Sequence, residues 1–350
     1  MKLFNRFGDV TVRNEVRQEK SDLEKVIDIE KEIIETYKTD EQFELYPKNE
    51  NETYQLLYKT TKEKITDINI TPELLQGYID ARDNPEENRK ALIRGMYSAA
   101  LLEIISTKTP ETHTFIDGRG KTFNYLFYHI HNVKNLTLTN IKGNNILRNA
   151  GMYGGSATHI ILNNVNGAYI LEYAGSYKGS ITHIILREIK GYYIFSYAGV
   201  HNGNLQNIVL TNVTGDYTLT AAAHSGNAKH ITLINLKGDL TLFNAGSCSG
   251  NASNITLTNM KGKNILEKAG SFNGNLKNIL KRGRFNREQK ETLSQIQTIV
   301  ETIHTLSLEE QAKAHEEIAK LQEQIFLQKT SFKQYVTNFL SKMKHFLYSK

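Results

Sequence analysis

NITLTNMKGKNILEKAGSFNGN, residues Asn254 to Asn275, is one copy of a sentence that the chain writes six times between about Lys134 and Leu280. Its first phrase closes on Gly143, Gly167, Gly191, Gly215, Gly238 and Gly262, at spacings of 24, 24, 24, 23 and 24 residues. A fixed period in this range marks a solenoid: no single repeat can bury its apolar face alone, so the repeats stack. The missing residue of the short copy falls between Ala223 and Gly226, and the apolar columns stay in phase on either side.

Those columns say how one coil folds. Seven and five residues before each glycine stand aliphatic pairs such as Leu136 and Leu138, Ile184 and Leu186, or Ile255 and Leu257. That period-2 placement belongs to the inner face of a strand. A third column lies two before the glycine, from Ile141 to Met260, and a fourth lies four after it: Leu147, Leu171, Phe195, Leu219, Leu242 and Leu266. The fourth reads as the core of a second strand, followed by a corner that is alanine in every copy, Ala150 to Ala269. About four aliphatic side chains buried per coil, at roughly 1.5–3 kcal/mol apiece before chain entropy is subtracted, hold such a stack together. An asparagine column three before the glycine, broken only by Glu188, reads as a ladder of amides that bond from coil to coil.

Upstream, THTFIDGRGKTFNYLFYHIHNVKNLTLTNIKG, starting at Thr112, holds short β-rich runs around a D-G-x-G turn at Asp117. A strand, that turn and a first copy of the repeated phrase resemble right-handed parallel β-helix proteins of the pectin-lyase-like fold, over about residues 113–280. The resemblance implies a fold and carries no function with it. The expected class is mainly β: a single-stranded right-handed parallel β-helix of about 24-residue coils over 112–283.

The flanks read differently. Residues 1–111 are expected to form a small α+β cap. A helix opens at Ser21 with Glu24 as its capping-box partner. Strand-like runs follow at Gln42–Tyr46, Thr53–Tyr58 and Lys64–Ile70, and Thr71-Pro72-Glu73 and Asn84-Pro85-Glu86 then start two further helices. Residues 284–350 read as a helical hairpin with a coiled-coil-like stripe (Leu293, Ile296, Val300, Ile303, then Ala314, Ile318, Leu321, Ile325), followed by a basic amphipathic helix over 331–350. That last helix is expected to cap the solenoid, to dock into a partner or to lie on a membrane surface. The middle coils carry openly apolar outward residues, Ile161, Ile185 and Val209, which predicts a covered face, with the flanking helices as the simplest cover. Regular Thr-x-Thr pairs such as Thr256 and Thr258 look like an ice-binding face, but Arg187 interrupts the row.

Three sets of residues could carry chemistry. His159 and His183 sit in a column otherwise filled by asparagine and by His230; they are close enough in register to share a metal, but no carboxylate or cysteine column joins them. No cofactor is expected, and a polar turn position accounts for the column. Asp216 and Asp239 follow consecutive glycines and, with Glu172, could form the paired carboxyls of a carbohydrate-active enzyme, a polysaccharide lyase or glycoside hydrolase. Asn144, Ala168, Tyr192 and Lys263 fill the same column, which favours ordinary turn chemistry. Tyr169, Tyr193 and Tyr217 form one aromatic column and Tyr173 and Tyr197 another; packing of ring on ring accounts for them, and they are also the leading candidates for a binding surface.

Bulk properties narrow the classes further. Cys248 is the sole cysteine, so neither an intrachain disulfide nor a thiolate metal cluster can form. The start lacks a long apolar region, and no run of some 18 apolar residues occurs, so a cytoplasmic location is expected. A net charge of +6 does not by itself call for nucleic acid, which is not an expected partner. The sequence therefore points to a non-enzymatic solenoid scaffold for binding or assembly, with a protein partner or a second copy ahead of a glycan.

Overall fold

The computed structural model describes residues 20–38, 50–82, 87–281, 285–306 and 309–327. Eight parallel strands form one sheet in strict sequence order: β1 Thr114–Asp117, β2 Asn132–Lys142, β3 Ser156–Asn166, β4 Ser180–Arg187, β5 Asn204–Thr214, β6 Asn227–Lys237, β7 Asn251–Thr258 and β8 Asn275–Lys281. Each strand pairs in register with the next, Leu136 on Ile160, Ile160 on Ile184 and so on to Ile255 on Ile279. The chain is a parallel β-solenoid of about seven turns, each strand one coil further along the axis. The predicted inward columns are sealed, Ile184, Leu186, Leu210 and Leu233 among them.

The glycine that closes each phrase is there because the coils touch. A Cβ built on Gly167, Gly191, Gly215, Gly238 or Gly262 would lie 1.6–1.9 Å from the carbonyl oxygen of the glycine one coil earlier. No side chain fits that gap, and the glycines stack backbone on backbone.

The second strand does not form. After each glycine the chain runs in a turn-rich arc in which alternate residues take positive φ, as at Asn145 (60°), Leu147 (52°) and Asn149 (65°). The inward column from Leu147 to Leu242 is buried as expected, but on this arc and not on a pleated strand. Successive amides of the arc point in opposite directions along the axis. Leu147 N donates back to Leu126 O, whereas Asn145 N and Asn149 N donate forward to Ala168 O and Glu172 O. The arc thus builds its own coil-to-coil ladder without strand geometry.

Positive φ also explains the polar columns inside the strands. Asn140, Asn164, Asn212, Asn235 and Asn259 lie at 51° to 55°, and Asn135, His159, His183, Asn207, His230 and Asn254 at 49° to 57°. Asparagine and histidine are enriched in the left-handed region, where a short polar side chain can bond locally. The predicted amide ladder is present: Asn164 Nδ2 donates to Asn140 Oδ1 at 2.8 Å, and Asn259 to Asn235 at 2.8 Å. Glu188 interrupts it and pairs with Arg187.

The amino-terminal cap is helical in its described residues, which corrects the α+β expectation. It consists of α1 Asp22–Tyr37, α2 Glu50–Lys64, α3 Pro72–Ala81 and α4 Asn88–Lys108. Thr53–Tyr58 belongs to α2, where Tyr54, Leu57 and Thr61 share one buried face, with acids in the first turn and lysines in the last. Lys64–Ile70 is the end of that helix and a turn, and Gln42–Tyr46 lies outside the described residues. The capping box at Ser21 and the Thr71 cap both form.

The cap closes the first coil by answering its backbone. Helix α4 lies against the open coil, so close that a Cβ on Gly95 would meet Tyr125 O at 2.1 Å. Its buried polar residues supply the bonds that a preceding coil would have made: Ser98 Oγ accepts from Phe127 N, Glu103 from His131 N and Asn132 Nδ2, and Ser106 Oγ from Lys134 N. On α3, Gln76 exchanges two hydrogen bonds with the Asp117 backbone. Without these partners the buried amides would each cost about 1–3 kcal/mol.

The carboxyl-terminal helices cover the apolar outward row. Helix α5 Arg287–Thr302 and α6, over residues 309–327, pack Leu293, Ile296, Val300, Ile318, Leu321 and Ile325 around Ile161, Ile185 and Val209. Gln289 Nε2 bonds to Ile325 O, so the start of α5 meets the end of α6 and the pair is antiparallel. Polar pins fix their position: Thr137 on Gln311, Arg187 on Glu301 O, and Gln322 Nε2 within 3.2 Å of Ile208 O, His230 O and Thr232 Oγ1. Thr137, Thr232 and Thr256 are therefore buried, and the Thr-x-Thr row presents no free face.

Candidate binding face

With the sheet covered by α5 and α6, the arcs form the open side of the solenoid, and the tyrosine columns lie on them. Tyr169 and Tyr193 stack with ring centroids 5.2 Å apart and planes 7° apart; Tyr193 and Tyr217 stack at 4.6 Å and 12°, and Tyr173 and Tyr197 at 5.1 Å and 15°. These separations match the coil rise of about 4.8 Å. The rings spend their faces on one another and turn edges and hydroxyls outward. Arg148 lies over Tyr169 and Tyr173 at 5.6 and 5.9 Å and closes the ladders at one end. A sugar needs a free aromatic face, whereas edges and hydroxyls suit a protein surface.

A third ladder escaped the sequence reading. Tyr153, Tyr177 and His201 stack at 5.1 and 4.6 Å and line an open cavity of about 500 Å³ with Gly154, Lys178 and Asn202. Tyr153 and Tyr177 are among the exposed large side chains. The column was legible ten residues after each glycine, but Ser225 and Cys248 break it in the later copies.

Asp216 and Asp239 do stand on adjacent coils, and each has a structural task. Asp216 Oδ1 accepts from Asp239 N at 2.8 Å, and Asp239 Oδ1 from Lys263 N at 2.7 Å. Asn124 and Asn144 do the same for Asn144 N and Ala168 N. The carboxylates continue a column of coil-to-coil caps. They border a groove of about 540 Å³ floored by Gly191, Gly215, Gly238 and Gly262, with Lys190, Lys237 and Lys261 on its other side.

Glu172 lies away from that pair, buried on the second arc beside Arg148, with Nε and Oε2 2.9 Å apart. The two atoms are close but not aligned for a hydrogen bond. Burial pushes the Glu172 carboxyl up to about 7, with Arg148 pulling it down and Glu50 adding to the rise. Glu50, the first residue of α2, accepts from Asn149 Nδ2 at 2.6 Å and lies 3.7 Å from His129. This polar cluster ties α2 to the first coils.

His159 and His183 stack at 4.9 Å, and His315 of α6 covers both at 5.2 and 5.7 Å. Burial holds all three below the usual histidine range, His315 well below. No group of three or more His, Cys, Asp or Glu with metal-holding geometry occurs among the described residues. Nor is any helix among them long and apolar enough to cross a membrane. No family model, no curated protein and no solved structure matches the chain.

Proposed function

We propose that this chain is a non-enzymatic β-solenoid scaffold that binds protein along its arc side. The observation that carries the proposal is the employment of its acids: Asp216 and Asp239 border the glycine-floored groove but each gives Oδ1 to the next coil's amide, and Glu172 is paired with Arg148 away from them. The remaining surface supports the same reading. Tyr153, Tyr169, Tyr177 and Tyr192 are exposed on that side, and Tyr, with its rigid amphipathic ring, is enriched at protein interfaces. Coil length and the D-G-x-G turn favour a right-handed, pectin-lyase-like β-helix, used here as a platform, and we place it in the cytoplasm as part of the same proposal.

A second copy of the chain is the first partner to test. Sedimentation velocity over a concentration series is expected to show reversible self-association that Tyr177→Ser and Tyr192→Ser weaken. In parallel, the purified chain is expected to release no reducing ends or unsaturated sugars from acidic or neutral polysaccharides. Depolymerisation that is lost in Glu172→Gln, or in Asp216→Asn with Asp239→Asn, would overturn the proposal in favour of a carbohydrate-active enzyme.

A further inference from the structure

The two ends of the solenoid are treated differently. On every coil before the last, at least three arc amides donate forward: Asn145, Asn149 and Tyr153 to Ala168, Glu172 and Ser176, and so on to Leu240, Asn244 and Cys248, which donate to Lys263, Glu267 and Ser271. Among the described residues the next members of these rows, the amides of Asn264, Lys268 and Phe272, meet no further coil, and β8 pairs only with β7. The apolar columns open at the same place. Ile265, Leu266, Ala269, Leu276 and Ile279 are only partly buried where their counterparts are sealed, and Phe272 is 74% exposed.

Charge is concentrated there too. Residues 251–281 hold five lysines and a single acid, Glu267, a net +4 of the chain's +6. Residues 328–350 lie outside the described residues, and only their sequence enters here.

We propose that the carboxyl-terminal end of the solenoid is a docking surface for a bilayer that carries anionic phospholipid. Backbone N–H groups with no acceptor among the described residues, beside Lys263, Lys268, Lys277 and Lys281, suit phosphate oxygens, and Phe272 with the half-open aliphatic rim suits the boundary just beneath them. A second copy meeting end to end would bring the same positive sign, as would residues 328–350, whose Lys333, Lys342 and Lys344 flank an apolar stripe. Nucleic acid would answer the lysines and leave the apolar rim in water. Unpaired backbone groups cannot enter hydrocarbon, so contact stays at headgroup depth. The proposal does not depend on the partner of the arc side.

The test is co-sedimentation of the full chain with phosphatidylcholine vesicles with and without phosphatidylserine. Binding is expected only with phosphatidylserine and is expected to fall with salt. At about fivefold per lysine, Lys263→Gln, Lys277→Gln and Lys281→Gln together lower partitioning on the order of 100-fold; Phe272→Ser lowers it about tenfold. All four residues are exposed, so the variants keep the wild-type circular dichroism. Binding indifferent to phosphatidylserine overturns the proposal. So does binding that the four substitutions leave intact while deletion of 331–350 abolishes it, since the tail alone would then be the anchor. Displacement from vesicles by duplex DNA, lost in the lysine variant, overturns it in favour of nucleic acid.

Discussion

Replacing Gly215 by alanine tests whether the glycine column exists for contact alone. The new Cβ would lie 1.6 Å from Gly191 O, and no heavy-atom contact of that kind survives below about 3.0 Å, so the coils must separate locally by about 1.4 Å. The bonds that join these coils, Gly191 N to Thr214 O at 3.0 Å and Thr214 N to Ile189 O at 2.9 Å, cannot stretch that far and remain hydrogen bonds. Two or three net bonds at about 0.5–1.5 kcal/mol each, with overpacking of about 1–3 kcal/mol, give an expected loss of about 3–5 kcal/mol. Gly154 is the control: its φ is +82° but nothing lies within 4 Å of an added Cβ. Gly154→Ala pays about 1–2 kcal/mol of left-handed strain and recovers about 0.4–1 kcal/mol from the stiffer unfolded chain, for a loss of about 1 kcal/mol or less. Urea denaturation followed by far-ultraviolet circular dichroism reads both. If Gly215→Ala unfolds within about 0.5 kcal/mol of wild type, or if Gly154→Ala is the weaker protein, close backbone stacking is not why the column is glycine.

Three further outcomes follow from the described contacts. Glu172 has a folded-state value of about 7 against an ordinary 4.5, so its contribution is fully present below pH 4.5 and declines as pH rises to about 7; Glu172→Gln is expected to flatten the urea midpoint across that window. His315 is shifted the other way by burial and by the imidazoles of His159 and His183, so its contribution is present above the ordinary 6.5 and is lost as pH falls below it. The protection factors of the α6 amides, hydrogen exchange taken relative to its intrinsic rate at each pH, are expected to fall on acidification from pH 7.5 to about 5, and in His315→Leu that fall is expected to shrink. Ile296→Ala, at the sealed centre of the hairpin contact, is expected to cost about 2–5 kcal/mol by urea denaturation, and an unchanged midpoint would mean that α5 does not cover the sheet.

Much of this architecture was legible because the repeat aligns like residues in space: columns such as Ile160, Ile184 and Ile208 could be read as inward before any coordinates. The covered row of Ile161, Ile185 and Val209 was legible for the same reason. The arc was not. Leu, Phe and Tyr give no local sign of positive φ, and only the coil-to-coil bonds show why Leu147 sits there. The run TYQLLY in α2 misled through its strand-favouring residues, although Tyr54, Leu57 and Thr61 already had helical spacing. In the candidate site the tyrosine stacks were visible in sequence. The tasks of Asp216 and Asp239 depended on where the next amide falls, and the Glu172–Arg148–Glu50 cluster needed a cap whose fold the sequence misread. Glu103, one acid among the buried apolar residues of α4, joins that helix to the first coil through bonds that only the packed cap reveals.

Helix α6 has a metric relation to the sheet beneath it. From Gln311 to Gln322 the helix advances eleven residues, about 16.5 Å. Their contacts span from β2 to between β5 and β6, three and a half coils or about 17 Å. Roughly three helical residues therefore measure one coil, and the glutamines act as marks on a gauge. Solenoids lengthen easily by duplicating a coil, because each new layer repeats the last. Here a duplication inside β3–β5 would throw Gln322 off its marks unless the helix gained about three residues with it. The strap thus fixes the number of coils, and copy number in this chain can drift only where the gauge does not reach.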